Sequence, residues 1–191
     1  PASFTPFPAL YIAEHFEAAL REKFGRAPEG SALTSADLAL RRPASFTQFR
    51  LHGLVDGVLD LNDVDSLRAF VDVLASFTMP RRVRELARAL GLRVPGLIRS
   101  VSMLQRQLLD PDWRTVPMQY DLPSNSQVFA RIASAAGLHG ILYPSSRAAD
   151  AQCLALFPQN WAGSDSHVAI SDAAPAGARL TRIDGSTESL V

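Results

Sequence analysis

The segment Gly140-Ile141-Leu142-Tyr143-Pro144-Ser145-Ser146-Arg147 ends an apolar run in two hydroxyls and a guanidinium, and a second apolar run, Cys153-Leu154-Ala155-Leu156-Phe157-Pro158, follows closely. Short apolar runs bounded by turn residues read as buried strands. A polar turn between two such strands is held rigidly while still reaching solvent, and ligand sites favour such places. The serine hydroxyls can donate or accept hydrogen bonds, whereas Arg147 only donates. A second stretch, Leu10-Tyr11-Ile12-Ala13 followed by Glu17-Ala18-Ala19-Leu20-Arg21-Glu22, offers a tyrosine on a strand and a carboxylate on a helix.

Other chemistries lack their residues. No Gly-x-Gly-x-x-Gly follows a strand, and there is no Walker loop, Cys-x-x-Cys pair or His-Glu-x-x-His. Dinucleotide-fold, phosphate-loop and zinc readings therefore lose support. His15, His52, His139 and His167 are scattered singly, so no metal site is expected. Cys153 is the single cysteine and reads as a small buried hydrophobe. No disulfide framework can form within the chain, which fits a reducing cytoplasm. Charges balance at 19 basic against 19 acidic residues, so no global field steers the molecule toward nucleic acid or anionic membrane. No apolar run approaches the roughly 20 residues of a membrane span, and the amino terminus lacks a signal-peptide pattern. A soluble, cytoplasmic protein is expected, and a first residue of proline rather than methionine suggests that sequence lies upstream.

These groups must be positioned by a core that 191 residues at 47% apolar content can build as one domain. The order of elements reads as α/β of the α+β kind, a mixed sheet with flanking helices. Ala9 to Ile12 is a short strand running into a helix in which Ile12, Phe16, Leu20 and Phe24 recur every four residues until Gly25 stops it. Glu22 falls roughly 140° from that stripe and is not core-facing by pattern. Residues 26–45 read as loop, and Phe46 to Leu51 and Gly57 to Leu61 as paired strands. Asn62 is the expected cap of a helix with Leu67, Phe70, Val71 and Leu74 inward. Pro80 opens a second helix carrying Val83, Leu86, Ala87 and Leu90, closed by Gly91. A third follows Pro95, with Leu97, Ile98, Val101, Leu104 and Leu108 on one face. Residues 64–109 thus form a helical block inside a strand-rich chain. A turn-rich segment, 110–125, leads to a helix from Gln127 to Ala136 and a strand from Gly140 to Tyr143. Cys153 to Phe157, His167 to Ile170 and Ala178 to Ile183 complete the strands.

Taken together, Leu10 to Ala13, Ala18 to Glu22, Val58 to Leu61, Gly140 to Arg147 and Leu154 to Pro158 resemble the RES-domain family. Its members include toxins of bacterial toxin-antitoxin pairs. The family pattern has a Leu-Tyr-hydrophobic-Ala strand, an Ala-Leu-x-Glu helix, a Val-Leu-Asp-Leu strand and a late Tyr-Pro-Ser-x-Arg before a strand ending in Phe-Pro. The resemblance makes Tyr11 the site tyrosine, Glu22 the family glutamate and Ser145, rather than Ser146, the family serine. Arg147 matches a frequently basic position. The family arginine has no match, because residues 1–10 contain no Lys or Arg and Ser3-Phe4 stands where an Arg-aromatic pair is expected. It is expected upstream of Pro1 or in a stretch outside the structure, or else to be lost.

The resemblance implies one domain over 1–191 with an ADP-ribosyltransferase-like mixed sheet, flanking helices and the block 64–109 inserted. It implies an enzyme that binds NAD+ as substrate and breaks the nicotinamide–ribose bond by phosphorolysis or hydrolysis, depleting NAD+. ADP-ribosyl transfer to a protein is the known variation. Glu22 is expected to hold ribose hydroxyls and steady the developing cation, Tyr11 to pack on nicotinamide or ribose, and Ser145 with Arg147 to hold phosphate or ribose. Partners are NAD+, inorganic phosphate as one acceptor and a cognate antitoxin, with room for a homo-oligomer. A contrasting reading comes from residues 81–106, which carry seven arginines against the single acid Glu85 and superficially resemble a helix-turn-helix. Phosphate contacts suit such a patch, but Leu97, Ile98, Val101 and Leu104 suit a core, which disfavours nucleic acid. If the family arginine is absent, an inactive partner-binding homologue is the remaining alternative.

Overall fold

The computed structural model describes residues 8–25, 47–92, 94, 100–110, 115–174 and 176–187. Strand β1 (Leu10–Ala13) turns into helix α1 (Phe16–Phe24). His15 caps the helix, its Nδ1 accepting from the Ala18 backbone N–H at 3.2 Å, which satisfies one of the otherwise orphaned amino-terminal donors. Gly25 closes it at φ +84°, a backbone conformation that residues with a Cβ rarely adopt. The expected glycine stop is in place, but Ile12 belongs to the strand.

The larger sheet runs β1-β5-β4-β3, with β3 (Val58–Asp60), β4 (Gly140–Pro144) and β5 (Gln152–Leu156). Strand β5 is antiparallel to both its neighbours, and β3 is parallel to β4. The smaller sheet is antiparallel, in the order β2-β6-β7, with β2 (Leu51–Leu54), β6 (His167–Ile170) and β7 (Arg182–Asp184). The expected pairing of Phe46 to Leu51 with Gly57 to Leu61 is therefore corrected: the first strand is Leu51–Leu54, residues 47–50 lie outside it, and β2 and β3 sit in different sheets. Val55 between them packs into a core shared by Leu156, Trp161 and Val168, and Gly57 takes the left-handed φ of +57° that redirects the chain. Residues 26–46 lie outside the described residues.

Parallel strands need a long crossover, and the stretch between β3 and β4 supplies it with helices α2 (Val64–Ser76), α3 (Arg81–Ala89), α4 (Val101–Leu108), α5 (Thr115–Tyr120) and α6 (Asn125–Ala135). Leu67 and Leu74 of α2, Leu104 and Leu108 of α4, and Phe129 of α6 bury against Leu59 and Ile141 of the sheet. Phe70 and Phe129 meet at 5.4 Å between ring centroids with the planes tilted 54°, a favourable aromatic geometry. The helical block and the sheet thus share one core.

Several local expectations change. Asp63 rather than Asn62 caps α2, accepting from the Asp65 N–H at 3.0 Å and the Ser66 hydroxyl at 2.6 Å. A carboxylate gains more than an amide from the helix amino terminus, and Asn62 turns to Asp60 instead. Helix α5 interrupts the segment expected to be turns, and its six residues are too few to show a period. Leu97 and Ile98 lie outside the described residues. No helix among the described residues is long and apolar enough to cross a membrane. The architecture is α+β, as expected.

Candidate active site

The carboxyl ends of β1 and β4 converge with α1. Cross-strand register aligns Tyr11 with Ala155 and Ile141, and Ala13 with Cys153 and Tyr143. Directly paired residues share a sheet face, and Ile141 and Tyr143 belong to the face packed on the helices. Ser145 continues that alternation two residues beyond Tyr143.

Helix α1 docks on the turn after β4 through small residues. Ala18 is 0% exposed and packs on Ala148 and Ala151, with Ala13 alongside. With no longer side chain between them, the backbones come close enough for Glu22, one helical turn further along, to reach the turn. The Ser145 hydroxyl donates to Glu22 Oε1 at 2.6 Å, a short charge-assisted hydrogen bond. The same oxygen accepts from the backbone N–H groups of Arg147 at 3.2 Å and Ala148 at 2.9 Å. With two donors fixing its oxygen and its proton committed to the carboxylate, Ser145 orients Glu22 and is itself held in one rotamer.

The reading of the apolar stripe, by which Glu22 is not core-facing, is corrected. The inward face of α1 carries Ala18 and Glu22, four residues apart, and Phe16 of the supposed apolar stripe is 37% exposed. Glu22 itself is half-buried.

Cys153 lies beneath this pair and is 2% exposed. Burial, and then the Glu22 carboxylate, push its thiol up to about 11, against hydrogen bonds with Ser145 and Tyr143 that act downward. A neutral thiol is no nucleophile at neutral pH, in keeping with a buried packing residue. Tyr11, on the edge strand β1, is 57% exposed and shares the face of Ala13 and Cys153. Arg147 lies against the end of α1: its Nη1 is 2.7 Å from where a Cβ on Gly25 would stand. Ser146 is exposed.

The structure therefore brings Glu22 and Ser145 into contact, puts Tyr11 on the same face, and sets Arg147 beside Gly25. Sequence reasoning missed Ala18 and Gly25 as docking residues; the spacing Ala18, Glu22, Gly25, which is one helical stripe, was the available signal. An apolar cleft of about 360 Å³ lies on the opposite face, between the sheets, lined by Ile12, Val58, Leu142, Leu154 and Val168 among others. None of the expected site residues borders it. Among the described residues no group of three or more His, Cys, Asp and Glu could hold a metal ion.

No curated protein and no solved structure is matched by this chain. The family model of the RES domain matches residues 78–178, and so includes Ser145 and Arg147 but not Tyr11 or Glu22. RES domains are associated with NAD+-related toxin-antitoxin systems and in general with action on NAD+. Because that match spans more than half of the 191 residues, the chain belongs to the RES-domain family.

Proposed function

We propose that the chain cleaves NAD+ at the nicotinamide–ribose bond, passing the ADP-ribosyl group to inorganic phosphate or water. The observation that carries this reading is the 2.6 Å hydrogen bond between Ser145 and Glu22, two residues 123 positions apart in sequence. In the reaction the C–N glycosidic bond breaks and its electron pair leaves with nicotinamide, which becomes neutral. The acceptor oxygen then bonds to the anomeric carbon, and a proton is released when the acceptor is water. The ribose is cation-like in the transition state, so a carboxylate already oriented before the charge appears lowers the barrier without reorganisation. Ser145 holds Oε1 and so fixes the carboxylate that meets the ribose, and Tyr11, on the same face, offers an exposed ring for the nicotinamide or ribose to lie against. Transfer to a protein side chain uses the same carboxylate with another acceptor.

One observation favours a second reading, that of an inactive homologue which binds a partner: residues 1–10 contain no Lys or Arg to match the family arginine. The nucleic-acid reading gains nothing, because Leu104 and Leu108 of the supposed recognition helix are buried in the core. Incubating the purified protein with NAD+, with and without phosphate, separates these readings. Glu22→Ala should abolish NAD+ loss while the circular dichroism spectrum is retained, and undiminished turnover in that variant would sink the assignment.

A further inference from the structure

We infer that Arg147 is a positioning residue, which locks the carboxyl end of α1 onto the β4–β5 turn and so holds Glu22 at Ser145, and that it does not itself grip NAD+. This deepens the NAD+-cleavage reading and rests on it. Helix α1 meets the turn along a single stripe at three levels. Ala18 packs on Ala148 and Ala151, Glu22 accepts from Ser145, and Gly25 faces the Arg147 guanidinium. These positions are i, i+4 and i+7, so they lie on one side of the helix.

The third level is specific to the residues present. A Cβ at Gly25 would lie 2.7 Å from Arg147 Nη1 and 3.9 Å from Cζ, so the guanidinium occupies the space the glycine leaves open. Gly25 is also the residue whose N–H closes the last turn, donating to the Arg21 carbonyl at 2.9 Å. A cation there lies at the negative end of the helix dipole and favours the docked helix. The backbone N–H of the same Arg147 donates to the Ser145 hydroxyl, so one residue touches both the helix end and the serine that orients Glu22. A small rotation of α1 away from the turn moves Glu22 off Ser145, and misplacing a reacting group by about 1 Å costs up to about a hundredfold in rate.

The experiment measures NAD+ turnover and stability for wild type, Arg147→Ala, Arg147→Lys, Gly25→Ala and the double variant Gly25→Ala/Arg147→Ala. Arg147→Ala and Gly25→Ala are each expected to lower kcat by about 10- to 100-fold, with the KM for NAD+ within about twofold of wild type. Gly25→Ala keeps the arginine and its charge, so its effect combines displacement of the guanidinium with the backbone strain of a Cβ at φ +84°, and the double variant with Arg147→Ala retains only the strain. Arg147→Lys, which retains a cation at the helix end, should recover most of kcat. A rise in KM with unchanged kcat in Arg147→Ala, or a Gly25→Ala variant with wild-type kcat, would overturn the inference in favour of direct ligand contact.

Stability gives a second readout that needs no turnover. The losses caused by Gly25→Ala and Arg147→Ala should be less than additive in the double variant, because removing the guanidinium removes the clash. Strict additivity would also overturn the inference. If wild type consumes no NAD+, the activity reading fails, while this coupling still decides whether Arg147 locks the helix.

Discussion

Glu22 and Ser145 are ordinary residues made particular by what lies beneath and beside them. The serine oxygen is fixed by two backbone donors, and the carboxylate stands over a thiol that cannot readily ionise. Cys153 offers a direct test of that arrangement. Burial, with Glu22 adding to it, raises the thiol from 9.0 to about 11, so the folded chain keeps a proton that the unfolded chain gives up. The resulting stabilisation is complete below about pH 8.5 and is lost as pH rises through the folded value, a change of about 2 kcal/mol. Denaturant titrations at pH 8 and 11 should show the stability difference between wild type and Cys153→Ala shrinking by about that amount. A difference that does not vary with pH would mean that the thiol is not held neutral by its surroundings.

At the scale of elements, the decisive contact is the seam between α1 and the β4–β5 turn. It is built from Ala13, Ala18, Ala148 and Ala151, and only side chains this small let the helix lie close enough for a glutamate to touch the turn. Ala18→Leu should push α1 outward, destabilising the fold by about 1–3 kcal/mol, and should lower NAD+ turnover more steeply than thermal stability suggests. Turnover equal to wild type with the helix displaced would separate Glu22 from the chemistry. The seam also explains why the sequence misleads about this helix. A search for large apolar residues finds Phe16, Leu20 and Phe24, whereas the fully buried residue of this helix is Ala18, whose apolar signal is weak. The Asp63 cap and helix α5 were hidden for a related reason: caps and single turns depend on local geometry more than on periodicity.

At the scale of the whole molecule, the helical block is joined to the sheet through Leu67, Leu74, Leu104 and Phe129, which bury against Leu59 and Ile141. Such a shared core should unfold as a unit. Phe129 is 1% exposed, and Phe129→Ala should cost about 3–5 kcal/mol. Trp161 is fully buried in the inter-sheet core, away from that cluster. In a Trp113→Phe background, where Trp161 is the one remaining tryptophan, its fluorescence transition and the far-ultraviolet dichroism transition should therefore shift together in the variant. Separate midpoints would show that helices and sheets unfold independently.

The sequence by itself determined the α+β class, most element positions, the glycine stop of α1 and the residues Tyr11, Glu22 and Ser145 as a group to examine. Those features follow from local propensity and from short motifs, which a linear reading contains. Tertiary structure alone decided that β3 pairs with β4 rather than β2, that Glu22 faces inward, and that Arg147 meets Gly25. Each of these depends on contacts between segments remote in sequence, where backbone approach and side-chain volume, rather than hydrophobic period, select the partner.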